Sequence, residues 1–292
     1  MIPGFLLLSS HLGDPERQTL SQPQLGQLTR AIRSRQLMQE GEELEARHLQ
    51  ALGYGRDMTE KILALLEQKD LLERYLDRAR SSGCFPLTRG EEDYPALTRS
   101  RLGGRCPGCF FGKGNRSLLN TPAIALVGSR ELHEPNREFA REAGRQAAAH
   151  GLTLISGNAR GADREAQESC RMAGGSVISV VADSLTDKQA DDRILYLSQE
   201  DFDAPFSPMR ALSRNQVIHT MGYMTLVAQC RLGQGGTWSG TTRNLQHGWS
   251  LVVCFRDGSS AAAELRDRGA YLLGTEELAG LSELGPEQMR LF

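Results

Sequence analysis

Residues 124–173 constrain this chain more than any other stretch. Ile124-Ala125-Leu126-Val127 is an apolar run of the length of a buried strand. Gly128-Ser129-Arg130 breaks it. Pro135 suits a first helical turn, and the pattern predicts a helix from there to just before Gly151. A second apolar run, 152–155, stops at Ser156-Gly157-Asn158-Ala159-Arg160-Gly161-Ala162-Asp163, and a second helix is predicted to run towards Gly174-Gly175. Two strands joined through one helix lie parallel, so both loops emerge at the same sheet edge. Open α/β sheets bind ligands at that edge, where helix N-termini offer free backbone N–H groups to anions.

The alternation persists downstream. Apolar runs at 177–181, 194–197, 225–228 and 251–255 read as strands, with helices at 214–221, 242–247 and 261–268. Ser213 is a plausible N-cap for the first of these helices, and 203–213, with Pro205 and Pro208, reads as loop. Residues 270–273 and 276–279 complete the series. Such alternation predicts an α/β chain built on a doubly wound, mostly parallel Rossmann-like sheet. Residues 1–82 read instead as a small helical domain. Leu25, Leu28 and Ile32, with Leu37 less regular, fall at helical spacing, as do Leu44, His48, Leu49 and Leu52, and Ile62, Leu65, Leu66, Leu72 and Tyr75. Gly53-Tyr54-Gly55 separates two of these helices in the manner of a helix-hairpin-helix, although packing or dimerisation is the commoner use of such a bundle. The predicted organisation is therefore 1–82 helical and 83–292 Rossmann-like. Residues 85–87 and 93–97 read as extended pieces leading into the sheet, and 110–115 as a short strand and turn.

A formal net charge of −2 over 292 residues gives no global basic field, so any anion site depends on local placement. Arg130, Arg160, Arg164, Arg210, Arg214, Arg231 and Arg243 fall in or beside loops of the predicted binding edge. Of six cysteines, Cys170 and Cys254 sit in apolar patterns as core thiols. Cys106-Pro107-Gly108-Cys109 is half a zinc site at most, with Cys84 the nearest further thiol, and reduced thiols without metal are expected. The apolar start of the chain lacks the basic flank and length of a signal peptide, and no run reaches membrane-spanning length. A cytoplasmic protein without a membrane contact is expected.

Three loops should converge: 128–130, 156–163 and 233–241. Glycines there allow close backbone approach, hydroxyls add donors, and arginines give bidentate phosphate contacts. No GKS/T follows a Gly-rich run, and no GxGxxG fingerprint is present. An acid that would close the second strand for NAD is replaced by Ser156. His133, His150, His219 and His247 are scattered, and no nucleophile triad is visible. Asp163 is more easily a helix N-terminal acid than a general base. No catalysis and no cofactor are expected. Trp238 either stacks on a base or folds back over the sheet edge, and burial favours the second.

These residues in this order resemble the DprA/Smf family of DNA-processing proteins. The resemblance rests on Val127-Gly128-Ser129-Arg130, the 156–163 loop, Gly174-Gly175, Ser213-Arg214-Asn215-Gln216-Val217-Ile218 and the 235–242 segment. Asp93-Tyr94-Pro95-Ala96-Leu97 and Gly112-Lys113-Gly114-Asn115 lie upstream. It covers roughly 80–257. It implies a non-catalytic single-stranded DNA-binding protein that self-associates and loads a RecA-type recombinase, or handles foreign DNA. The implied contacts are Ser129, Arg130, Ser156, Gly157, Arg160, Gly161, Asp163, Arg214, Asn215, Ser239 and Thr241, and Gly236, Thr237 and Trp238 of the last loop are further candidates beside them. Gln167 stands where the family usually has histidine, Gln216 where it has a second arginine, and Trp238 where a smaller residue is expected. No room is read for the winged-helix tail of some members. A nucleotide-binding sensor is the alternative, because 234–241 is similar to the PGGxGT loop of phosphoribohydrolases, without the glutamate that follows it there. A scaffold with a vestigial pocket is the third reading.

Overall fold

The computed structural model describes residues 2–35 and 43–283. Leu37 and Glu42, at the ends of two predicted helices, lie outside them. Strands β1 (Cys84–Thr88), β2 (Cys109–Gly114), β3 (Ala123–Val127), β4 (Thr153–Ser156), β5 (Val177–Val181), β6 (Ile194–Gln199), β7 (Met224–Val227), β8 (Leu251–Phe255) and β9 (Tyr271–Leu273) form one sheet in the order β1-β2-β6-β5-β4-β3-β7-β8-β9. From β6 to β9 every pairing is parallel, and β2 and β1 join antiparallel at the β6 side. The strand order reverses between β3 and β7, which puts the switch point of the doubly wound sheet beside the β3 loop.

Alternate residues of β3 explain the two layers. Ile124 and Leu126 pack with Phe139, Ala143 and Ala166 of α7 (Glu134–Ala149) and α8 (Ala162–Met172) on one face. Ala125 and Val127 pack with Val217, Ile218 and Leu265 of α9 (Pro208–Met221) and α11 (Ser260–Asp267) on the other, with α10 (Gly235–His247) alongside. A central strand buried on both faces reads as a continuous apolar run, as 123–127 does.

Five helices precede the sheet: α1 (Ile2–Ser9), α2 (Gln22–Arg35), α3 (Ala46–Ala51), α4 (Arg56–Leu66) and α5 (Lys69–Ser81). The apolar start of the chain is core, since Phe5, Leu6, Leu7 and Leu8 are buried. Phe5 and Leu8 pack with Leu25, Leu28, Leu49 and Ile62, whereas Leu6, Leu7, Leu72 and Tyr75 share a cluster with Phe111 of β2 and Phe202. Polar links reinforce that join. Tyr75 donates to Asp203 at 2.8 Å, Ser10 donates to Asp201 at 2.9 Å, and His11 Nδ1 lies 3.0 Å from the same carboxylate.

Several expected boundaries shift. Helix α9 begins at Pro208, not Arg214, because Ser207 caps it by accepting from the Arg210 N–H and Pro208 takes a first-turn position that needs no donor. Helix α10 begins at Gly235, so most of the expected 233–241 loop is its first two turns. Ala96–Leu102 is a helix, α6, where 93–97 was expected to be extended. Pro86 sits in β1, an edge strand, where its missing N–H costs no ladder bond between strands. All six cysteines are buried and free, and no group of three potential metal ligands occurs among the described residues. No described helix is long and apolar enough to cross a membrane.

Candidate functional site

The β3 and β4 loops meet at the sheet's switch point. Gly161 caps α8 with φ +89°, and a side chain there would collide with the Ser129 and Arg130 carbonyls. The Ser129 carbonyl accepts from the Ala162 N–H at 3.1 Å, and its own N–H donates to the Gln229 carbonyl at 2.9 Å. Ser129 Oγ also donates to that carbonyl. The β7 loop is thereby tied to the β3 loop. Thr237 Oγ1 donates to the Gly128 carbonyl at 3.0 Å, which brings the start of α10 to the same rim. Among the described residues no side chain caps α8 or α10, although the Ser129 carbonyl takes the first N–H of α8, and both helix starts lie at this edge.

Beneath the rim lies a buried ion pair. Asp163 Oδ2 accepts from the Gly157 and Ala159 N–H groups at 3.1 and 3.2 Å, and lies 3.7 Å from Arg214 Nη1. Asp163 is 5% exposed and Arg214 8%. Burial raises the Asp163 pKa, against the pull of Arg214 and the two amides. Burial likewise lowers that of Arg214, against the pull of Asp163. The guanidinium lies directly over Gly157, leaving no space for a Cβ there. Arg214 Nε has no hydrogen-bond partner among the described residues.

Outside the rim, Arg130, Arg137, Arg160 and Arg164 line a hollow of about 400 Å³ with Gly161, Leu132 and the glutamates Glu131, Glu165 and Glu168. Arg130 and Arg160 are exposed and come from different loops. Neither forms an ion pair among the described residues.

The expected residues therefore separate. Ser129, Arg130, Arg160, Gly161, Gly236 and Thr237 lie at or beside the rim, and Gly157, Asp163 and Arg214 lie under it. Ser156 is fully buried, its Oγ accepting from Gln167 Nε2 at 2.5 Å, so the glutamine where histidine was expected is a core partner of the β4 end. Asn215 spans to the Gly236 carbonyl at 3.4 Å. Thr241 is buried, and Ser239 is exposed on α10. Trp238 turns away from the rim. It packs on the core of the α9–α11 face with Arg268 5.6 Å above its ring, which is the folded-back alternative. Arg210 is engaged with the Ala182 carbonyl and Ser198, Arg231 pairs with Glu131, and neither joins Arg214.

Sequence reasoning named Arg130, Arg160 and Arg164 but missed the acids of the same wall, Glu131, Glu165 and Glu168. Glu168 is four residues from Arg164 on one face of α8, a signal that could have found it. The hollow beside Gly53-Tyr54-Gly55, about 240 Å³, is lined by Leu20, Leu28, Met58 and Ile62 with glutamines and no basic side chain, which suits no phosphate.

Comparison with known proteins bears on the same segments. A family model described as DNA recombination-mediator protein A matches residues 86–277, more than half of the chain. Protein Smf of a Synechocystis strain is 26% identical over 137 residues, 46% of this chain, and the match spans only 34% of that relative's length. The crystal structure of DNA processing protein A from Streptococcus pneumoniae superposes with a TM-score of 0.70 at 21% identity, covering 90% of this chain and 95% of that one. The Helicobacter pylori DNA processing protein A, described for its single-stranded DNA binding mode, gives 0.58 at 18% identity over 70% of this chain and 97% of its own. At these identities the superpositions speak for a shared fold.

Proposed function

We propose that this chain, which belongs to the DNA recombination-mediator protein A family (DprA/Smf), binds single-stranded DNA through its phosphates without catalysing a reaction. One observation carries the reading: Arg130 and Arg160, from two different loops, stand exposed at one rim, without an ion pair among the described residues, beside the starts of α8 and α10. Arginine forks and helix-start amides are phosphate ligands. In this reading Ser129, Gly161, Gly236 and Thr237 shape the rim. Asp163 and Arg214 hold the β4 loop open from beneath, so the arginine implied as a contact acts as a support. The binding named for the Helicobacter pylori protein is consistent with this assignment.

Self-association and a RecA-type recombinase partner are further parts of the proposal, to be read by light scattering and by co-sedimentation on DNA. The decisive test sets labelled single-stranded oligonucleotides in gel shifts beside thermal shifts with nucleoside monophosphates and cyclic or NAD-derived nucleotides. Oligonucleotide binding lost in R130A supports the proposal. Stabilisation by a nucleotide, with no oligonucleotide binding, replaces it with the sensor reading. A ligand at a hundredfold excess over its Kd stabilises by about 2.7 kcal/mol, well within reach of that assay.

A further inference from the structure

The charges lining the hollow between α7 and α8 do not balance. Arg137 is bound to Glu165, which also accepts from Arg141 Nε at 2.8 Å, and Glu131 holds Arg231 at 3.0 Å. Arg130, Arg160 and Arg164 have no ion pair or side-chain hydrogen bond among the described residues, and neither has Glu168. Three guanidinium charges thus face one free carboxylate: the lining of the roughly 400 Å³ hollow holds four arginines against three glutamates, and with Arg231 neutralising Glu131 from outside it the surplus is two positive charges.

We infer that this hollow receives a terminal phosphate, a phosphomonoester at the end of a DNA strand. The inference rests on the strand-binding reading above. An internal phosphodiester brings one negative charge, whereas a phosphomonoester brings about −1.5 to −2 at pH 7 and matches the surplus. Its three non-bridging oxygens can each meet a guanidinium fork, which a diester cannot match. The lining also disfavours a strand that continues. Glu168, the lining carboxylate without an ion pair among the described residues, stands in the same wall, so a strand threading on past the site would bring a further phosphate against it, while a strand that ends there brings none. The hollow includes Arg130 and Gly161 from the two rim loops, so a strand gripped at the rim can place its last phosphate in it. Arg164 is the residue that separates the two functions, since it lies on α8 beyond the loops.

The same phosphomonoester chemistry occurs in free mononucleotides, and the experiment distinguishes the sources. Anisotropy is measured with one oligonucleotide carrying a 5′-hydroxyl, a 5′-phosphate or a 3′-phosphate, with a deoxynucleoside monophosphate as competitor. The expected result is about tenfold tighter binding of one phosphorylated form, the worth of one added charge-assisted contact. R164A closes that gap. E168Q, which removes the free carboxylate, raises the affinity of the hydroxyl-ended form. The preference weakens as pH falls through about 6, where the phosphate takes up its second proton. Equal binding of all three forms by the wild-type protein overturns the inference and leaves strand binding standing, as does a preference that survives R164A. Arg164-dependent binding of the monophosphate without oligonucleotide binding supports the phosphomonoester site and overturns the strand reading. Binding of neither overturns both.

Discussion

Removing Asp163 tests whether the rim stands on a buried ion pair. Asp163→Ala takes away the acceptor of the Gly157 and Ala159 amides and leaves Arg214, 8% exposed and already lacking a partner at Nε, as an isolated buried charge. Stranding one member of a buried pair costs about 3–5 kcal/mol. The half-buried Ala159 amide recovers water, whereas the Gly157 amide is buried under Arg214 and moves the loss towards the upper part of that range. A loss of about 4 kcal/mol lowers Tm by roughly 8–16 °C in a domain of this class of size. Urea unfolding followed by circular dichroism reads the change as a shift in midpoint at constant slope. The double variant Asp163→Ala with Arg214→Met removes both charges and keeps the side-chain volume over Gly157, so it recovers most of the loss. If Asp163→Ala costs less than about 1 kcal/mol, or the double variant loses as much as the sum of the singles, the pair does not carry the loop and the reasoning fails.

Other consequences are as direct. Trp238→Ala destabilises by about 2–3 kcal/mol because the indole packs on the core, and oligonucleotide affinity is retained; a binding loss of about 1–3 kcal/mol would instead mark a stacked base. His219 is fully buried and pushed down to about 3 by burial, against an ordinary 6.5, so the unfolded chain takes up a proton there that the native one does not. Its effect is absent above pH 6.5 and destabilises progressively as pH falls towards 3, by about 1.4 kcal/mol per unit. His219→Gln should flatten that limb of a urea midpoint-against-pH curve. His11 acts oppositely: its hydrogen bond to Asp201 raises its pKa, and its stabilisation is full below the ordinary 6.5 and lost as pH rises through the raised value. His11→Gln should therefore cost more at pH 6 than at pH 9 in the same assay.

The β3–α7–β4–α8 unit was legible because its signals are local. Apolar runs buried on both faces, a first-turn proline and a glycine in the left-handed region each act within a few residues. The start of α10 was not, because Gly235, Gly236 and Thr237 are poor helix formers. Tertiary contacts hold that turn, Thr237 on the Gly128 carbonyl and Asn215 on the Gly236 carbonyl. The start of α9 was misread because Pro208 signals loop and helix start equally until its cap is known. The separation of Arg214 from Arg130 and Arg160 was hidden for a different reason. All three read as loop or loop-adjacent arginines, and only the structure separates them, with Arg214 buried beside Asp163 and Arg130 and Arg160 exposed. The join of the N-terminal helices to the sheet was also out of reach, since Tyr75 and Asp203 are 128 residues apart in sequence.

The reading of the rim is tested most directly by the salt dependence of single-stranded DNA binding, taken by anisotropy for the wild-type protein, R130A and R160A. Each phosphate neutralised contributes about −0.7 to the slope of log affinity against log salt. The account predicts that each substitution makes the slope shallower by about that amount, while the urea midpoint stays at the wild-type value. Slopes identical to wild type in both variants would contradict it, as would affinity that does not respond to salt.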